Sequence, residues 1–317
     1  MKRKVVQHGP STLIVSLPSK WVKDHGIKKG DELDVDEQDK ILLISAGKFV
    51  ANHTLTQDVS GLQPFLLTRF LARSYQKGYD KIMLIHNDMS LLKTVSEKIL
   101  ELIGFEIIEQ NGNYCLIQSL SSHIEIDFDN ALRKAFLVVK QMIETCYESY
   151  KNGNISELQN LYIKDLEVNR FTYFCLRQIN KEQYAAKELS QQSHVLYYII
   201  EVLEDLGDAY KKLAKLLAAT KIRNKDIINM LKLVFEQFDA SYSYFYKPSL
   251  QKANQAYELY KDMEKKINAV VGSDLTADEI LSVYHIKDAS SIIYHFTTMR
   301  LDALKDTKLM EIDVREG

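Results

Sequence analysis

Roughly the first 45 residues alternate apolar and polar side chains in four short runs, and this pattern restricts the fold more than any other feature of the chain. Between the second and third runs, Pro18 presets the backbone for a helix that Gly26 ends after barely two turns. About 45 residues of short strands bury too little apolar surface to be stable alone. The segment must therefore dock on the rest of the chain or pair with a second copy of itself.

The charges of this segment are separated along the sequence. Residues 1–29 hold seven basic side chains and one acidic one, whereas residues 31–39 hold six acidic side chains and no basic one. A cationic surface attracts phosphate locally even though the formal net charge of the whole chain is −2. The alternative for such a cluster is a solvated charged face without a ligand.

The order of elements in this segment resembles the AbrB/SpoVT/MazE family of swapped-hairpin domains. A strand leads into Pro18 and a short helix, and "GIKKGDEL" at residues 26–33 matches the family's G(I/L)xxGDxL signature. The resemblance implies a homodimeric barrel, made by interleaved hairpins, that binds DNA. By position it implies contacts with phosphates or base edges for Arg3, Lys4, Ser11, Thr12, Lys20 and Lys23. The family often has arginines after the proline, where this chain has Ser19-Lys20-Trp21, and lysine reads guanine less specifically.

Between about residues 54 and 125, helical and strand patterns alternate. A helix is predicted from Pro64 to Gly78, followed by a buried strand "KIMLIH" and a second helix that ends at Gly104. Asn111-Gly112-Asn113 then predicts a β-hairpin. The segment contains no glycine run that could cradle a phosphate, so we predict a small α/β segment without a cofactor.

From Asp127 onward the apolar period is 3.6 residues. It predicts helices over residues 128–151, 155–181, 184–219, 224–246, 249–270 and 277–306. Internal similarity matches the sequence around Asp165 to that around Asp262, and the sequence around Asp208 to that around Asp288. This repeat favours a duplicated three-helix bundle.

Acidic residues recur around "LEDLGDA", residues 203–209. Two sets of three helices with this recurrence resemble PhoU, a helical regulator of phosphate uptake in which Glu or Asp, three residues and then Asp hold metal clusters. The resemblance implies a divalent cation or iron in the first bundle. The implied ligands are Glu201, Glu204, Asp205, Asp208, Asp165 and Asn169.

Two alternatives to the metal site remain open. At 100° per residue, the four acidic residues of 201–208 lie opposite the apolar stripe of their helix, which also suits a solvated acidic face. Asp165 and Asn169 share a face with apolar residues, which suits a hydrogen-bonded pair in the core. The second repeat has Lys266 where the first has Asn169, so any metal is expected in the first repeat.

These patterns together predict a multidomain α+β protein. The expected parts are a swapped-hairpin, AbrB-like β-barrel at residues 1–48, a small α/β segment at 52–126, and PhoU-like three-helix bundles at 127–221 and 222–306. The chain as a whole is similar to archaeal PhoU-type phosphate uptake regulators that carry an AbrB-like N-terminal domain. This resemblance implies a cytoplasmic, homodimeric DNA-binding transcription regulator of phosphate uptake, whose helices sense a metal, phosphate status or a transporter. The alternative is a cytosolic PhoU-like accessory protein that restrains a phosphate transporter by direct contact, without binding an operator.

Several other classes of protein are not expected. The sequence shows no Ser/His/Asp or Cys/His constellation, no HExxH and no P-loop, so we expect no enzyme. The three cysteines are far apart and are expected to be small core residues in a reducing compartment. No run of apolar residues is long enough to predict a transmembrane helix. An antitoxin is less expected, since antitoxins usually end in a short disordered tail.

Overall fold

The computed structural model describes residues 2–10, 12–38, 41–45, 53–120, 126–181, 193–220, 223–270 and 274–301. The chain divides into two compact units, Met1–Asn52 and His53–Gly317. The finer domain boundaries expected at residues 126/127 and 221/222 stay predictions.

The first unit consists of two separate β-hairpins and one short helix. Its elements are β1 (Val5–His8), β2 (Thr12–Val15), α1 (Ser19–Asp24), β3 (Asp34–Gln38) and β4 (Ile41–Ser45). Strands β1 and β2 are antiparallel, and so are β3 and β4, but the two hairpins share no sheet. The four predicted strands and the short helix after Pro18 are confirmed.

The second unit begins with an α/β segment. Its elements are β5 (Thr54–Asp58), α2 (Pro64–Gln76), β6 (Lys81–Ile85), α3 (Leu91–Ile99), β7 (Phe105–Gln110) and β8 (Tyr114–Ser119). The sheet has the order β5-β6-β8-β7, and only β5 and β6 are parallel. One core cluster joins Leu71 of α2 and Val95 of α3 to Ile82 and Ile117 of the sheet. The predicted α/β character is confirmed, whereas β5 was not predicted.

Long helices fill the rest of the second unit. They are α4 (Phe128–Asn152), α5 (Ile155–Gln159), α6 (Leu161–Asn180), α7 (Ser193–Ala219), α8 (Lys225–Tyr246), α9 (Leu250–Val270) and α10 (Ala277–Thr298). The helix predicted over residues 155–181 is two helices, because the chain turns at Asn160. The predicted ends at residues 184 and 306 lie outside the described residues.

The two expected sets of three helices share one continuous core. Helix α4 packs against α6, α7 and α8, while α10 packs against α7 and α8. The ring of Phe136 on α4 lies within 6.4 Å of Phe238 on α8 and 6.0 Å of Phe296 on α10, measured between centroids. A helical region of about six long helices is therefore present, but its assignment as a pair of three-helix bundles stays a prediction.

The cysteines lie in the cores of the second unit. Cys115, Cys146 and Cys175 are free and fully buried, as predicted. Burial raises the pKa of Cys115 to about 11 and that of Cys146 to about 12, so their thiols are poorly reactive. Within the described part of the chain, no helix has the length and apolar character needed to cross a bilayer.

Candidate nucleic-acid interface and acidic set

The open end of the first hairpin carries two of the predicted DNA contacts. Strands β1 and β2 pair with Val5 opposite Val15 and His8 opposite Thr12. Arg3 and Lys4 precede Val5, so they lie at the open end of the hairpin rather than at its turn. Ser11 lies outside the described residues.

Helix α1 begins close to this open end. Pro18 occupies the N-cap position with a φ of −64°, the value that its ring imposes, and Gly26 follows the helix with a φ of +64°. Lys20 and Lys23 are three residues apart and share one face of α1. Only three residues separate α1 from Val15, the end of β2 that pairs with Val5, so four cations gather at one end of the hairpin.

Thr12 lies at the opposite end of the hairpin. It pairs with His8 at the turn, about 10 Å along the strand from Val15. A single protomer therefore does not bring all the predicted DNA contacts together. Arg3, Lys4, Lys20 and Lys23 are exposed and form no ion pair with any described residue, which leaves their charges available to a polyanion.

The first unit shows no buried core among the side chains whose burial the structure describes. Val5, Leu13 and Val15 are exposed on one face of the hairpin, and Val6 and Ile14 on the other. None of the side chains of this unit whose burial is described is classed as buried. Because an isolated hairpin is marginally stable in water, apolar residues on both faces require a partner surface.

The acidic residues of α7 face the α/β segment. Glu204 is only 7% exposed. Its Oε1 accepts hydrogen bonds from Nη1 of Arg69 on α2, at 3.2 Å, and from the hydroxyl of Tyr173 on α6, at 3.3 Å. Burial raises the pKa of Glu204, and the nearby Arg69 opposes that rise. The predicted solvated face is therefore wrong for Glu204, which lies in the contact between the α/β segment and the helices.

The other acidic residues of α7 differ in their surroundings. Glu201 forms a bidentate ion pair with Arg73 of α2, four residues after Arg69. Asp208 lies 3.6 Å from Arg69 and accepts a hydrogen bond from Lys211 at 2.5 Å. Burial favours a higher pKa for Asp208, but the hydrogen bond from Lys211 and the charges of Lys211, Lys212 and Arg69 together outweigh it and lower the pKa. Asp205 is exposed and forms no ion pair within the described residues.

Asp165 and Asn169 are buried on α6, as their apolar neighbours in sequence indicated. Asp165 accepts a hydrogen bond from Lys211 at 2.5 Å, and Asn169 donates one to Glu101 at 3.0 Å. The Oδ1 atom of each has no hydrogen-bond partner among the described residues. Each side chain is thus hydrogen-bonded through one atom but lacks a described partner for its Oδ1 atom. Only part of the hydrogen bonding expected of a core pair is present.

The structure lends no support to a metal site at the six proposed ligands. In the described residues, no cluster of three or more His, Cys, Asp or Glu side chains is arranged to hold a metal ion. Arg69, Arg73 and Lys211 form ion pairs with the carboxylates of Glu201, Glu204, Asp208 and Asp165. The geometry thus makes four of the six residues ion-pair partners, and the metal site stays a prediction.

Sequence reasoning missed the basic partners of the acidic set. Arg69 and Arg73 are four residues apart on α2, so they share a face of that helix. That spacing is visible in the sequence, but the partner helix lies more than 120 residues away and no local pattern identifies it.

The comparison with protein families finds a match for the first unit only. Residues 6–49 match the family described as "Antidote-toxin recognition MazE, bacterial antitoxin". The first unit is thus similar to MazE and AbrB DNA-binding domains, and the large helical region lies outside the match. No curated protein matches this chain, and no solved structure matches it.

Proposed function

We propose that this chain is a homodimeric DNA-binding transcription regulator, in which residues 1–48 of two copies interleave into one barrel. The observation that carries the proposal is the first hairpin, which exposes apolar side chains on both faces and has four exposed cations near its open end that form no ion pair with a described residue. A second copy supplies the missing apolar surface. The match of residues 6–49 to the MazE family, whose domains dimerise and bind DNA, supports the same arrangement.

The cations supply a sequence-independent attraction to DNA. Each copy contributes Arg3, Lys4, Lys20 and Lys23, so the dimer presents about eight basic side chains to phosphates. Three of the four are lysines, which bind phosphate as point charges and discriminate bases less well than arginine. Contacts to the backbone therefore dominate the affinity in this proposal.

We extend the proposal to the regulation of phosphate uptake. The support is the resemblance of the six-helix pattern and its recurring acidic motifs to PhoU. In this scheme the helical region senses phosphate status or a transporter, and the ion pairs between α2 and α7 connect it to the α/β segment. Genome-wide capture of bound DNA under phosphate excess and starvation tests this extension, since bound sites should lie near phosphate-uptake genes and change with phosphate.

The DNA assignment is tested by fluorescence anisotropy with a duplex and a charge-matched pair of variants. Replacing Arg3, Lys4, Lys20 and Lys23 by Gln should abolish binding. The control replaces four exposed lysines of the second unit by Gln and should bind like the unmodified protein; these are Lys93, Lys232, Lys261 and Lys265.

The same pair of variants distinguishes the accessory-protein alternative. If the first unit serves only to dimerise, the unmodified protein and both variants should behave alike toward DNA and should restrain the transporter equally. That outcome would reject DNA binding as the role of the first unit.

A further inference from the structure

Strand β5 lies at one edge of the four-stranded sheet that the structure describes. The N–H of Val59 donates to the carbonyl oxygen of Ile85 on β6, at 2.8 Å. Backbone groups alternate along a strand in parallel pairing, so Leu55 and Gln57 also face β6. The backbone groups that face outward belong to Thr54, Thr56 and Asp58, and the carbonyl oxygen of Asp58 accepts a hydrogen bond from the exposed side chain of Gln57 at 3.0 Å. No described strand pairs with that side.

The two edge strands of this sheet differ in the features that prevent pairing with another chain. The other edge strand, β7, has a β-bulge between Ile107 and Glu109 and carries Glu106 as a further charge. Bulges and charges at an edge prevent pairing with other chains. Strand β5, with the sequence TLTQD, has no bulge and no proline, its one charged residue is Asp58 at its end, and its two threonines favour strand pairing.

We propose that β5 pairs antiparallel with β5 of a second copy, which joins the two four-stranded sheets into one sheet across the dimer. The inference rests on the proposed dimer of the first unit. Only residues 46–53 separate β4 from β5, a tether that spans at most about 28 Å. Dimerisation through residues 1–48 therefore holds two copies of β5 at high effective concentration, so the second copy is favoured over any other strand as the partner.

The outward-facing groups fix the register of this pairing. Residues that face the partner must lie opposite one another, and all three outward residues pair only when the register is centred on Thr56, which places Thr54 opposite Asp58 of the partner subunit. About six N–H···O bonds then form across the two-fold axis. A register centred on Leu55 or Gln57 would also oppose outward-facing groups, but it would pair only two of the three outward residues and form about four bonds.

The test is a cysteine placed on the two-fold axis. In the proposed register, the Cα atoms of Thr56 and its counterpart lie about 5.5 Å apart, within the range that a disulfide spans. Thr54 has the same residue type, strand and sheet face, but its counterpart is displaced by four residues, about 14 Å. The full-length variants Thr56→Cys and Thr54→Cys are oxidised in parallel, and the covalent dimer is measured on denaturing gels. The native cysteines are buried and contribute little background.

The proposal predicts at least about tenfold more covalent dimer for Thr56→Cys than for Thr54→Cys. Equal cross-linking of the two variants would overturn it, whether the shared level is high or at background. Sedimentation of the reduced proteins distinguishes a failure of the β5 pairing from a failure of the proposed dimer. If they are dimeric yet Thr56→Cys does not cross-link preferentially, the β5 pairing fails and the dimer stands; if they are monomeric, the proposed function fails as well.

Discussion

Arg69 on α2 and Glu204 on α7 are 135 positions apart in sequence, and Nη1 of the arginine donates to Oε1 of the glutamate at 3.2 Å. This ion pair joins the α/β segment to the helical region. Glu204 also accepts the Tyr173 hydroxyl, so one buried carboxylate contacts both α2 and α6. The packing of the second unit therefore depends on charges that local sequence patterns assign to its surface.

Removing the arginine of this pair should destabilise the second unit. Arg69→Ala leaves the buried Glu204 carboxylate without its cation, and we expect a loss of about 1 kcal/mol in the free energy of unfolding, measured by urea denaturation. Solvent screening keeps the loss small, because the Arg69 side chain is 41% exposed. The control Lys93→Ala removes an exposed partner of Glu97 and should change stability by less than about 0.5 kcal/mol. Equal losses in the two variants would contradict the role given to Arg69.

A second contact between the α/β segment and the helical region should stabilise the protein more than the Arg69–Glu204 pair does. Arg177 on α6 is 4% exposed and donates to the carbonyl oxygens of Tyr75 and Tyr79, at 2.9 and 2.7 Å, and to Asp80 at 2.5 Å. Arg177→Met leaves these buried acceptors short of a donor and should cost about 3–5 kcal/mol. Lys181 also contacts Asp80 and limits the loss.

The matched control for Arg177 lies on the same helix. Arg170 is exposed, so Arg170→Met should leave the urea midpoint almost unchanged. A midpoint for Arg177→Met that coincides with that of Arg170→Met would show that the buried arginine does not hold α6 to the α/β segment.

The buried carboxyl of Asp165 should give stability a specific pH dependence. Burial raises its pKa above the ordinary value of 3.8, and the hydrogen bond from Lys211 only partly opposes this. The folded state then binds more protons than the unfolded state between 3.8 and the folded pKa, so this group's contribution to stability falls as pH rises through that window. Relative to Asp165→Asn, the unmodified protein should therefore lose stability in thermal unfolding as pH rises above the ordinary pKa of 3.8.

An exposed aspartate provides a control of opposite sign. The hydrogen bond from Lys265 lowers the pKa of Asp262, so stability relative to Asp262→Asn should rise as pH increases through the acid range. If both comparisons changed in the same direction, the assignment of a raised pKa to Asp165 would be wrong.

The dimer should depend on the apolar faces of the first hairpin. Leu13 is 69% exposed in the single chain, and the proposed partner covers it. Leu13→Asp should weaken the dimer by at least about tenfold in sedimentation equilibrium, since burying a leucine contributes about 1.5–3 kcal/mol. Leu100 is 74% exposed in the second unit, and Leu100→Asp should leave the dimer intact. A dimer insensitive to Leu13→Asp would place the interface elsewhere.

Local patterns predicted local structure well. The strand before Pro18, the helix between Pro64 and Gly78 and the hairpin at Asn111-Gly112 follow from backbone preferences that act within a few residues. Strand β5 escaped prediction because TLTQD has one large apolar residue and lies at an exposed edge, where no alternation is required.

Long-range electrostatics could not be predicted in the same way. The helical period correctly placed Glu204 opposite the apolar stripe of α7, but a helix that covers that side is invisible to a single-helix pattern. The burial of Glu204 and its pairing with Arg69 depend on how α2 packs, which is a property of the tertiary fold.

The central claim is that two interleaved first units present their cations to DNA. The most direct measurement is the salt dependence of binding of the full-length protein to a duplex, plotted as log K against log salt concentration. About eight phosphate contacts predict a slope near −7, which should become much shallower when Arg3, Lys4, Lys20 and Lys23 are replaced by Gln. A slope near zero for the unmodified protein would contradict the account.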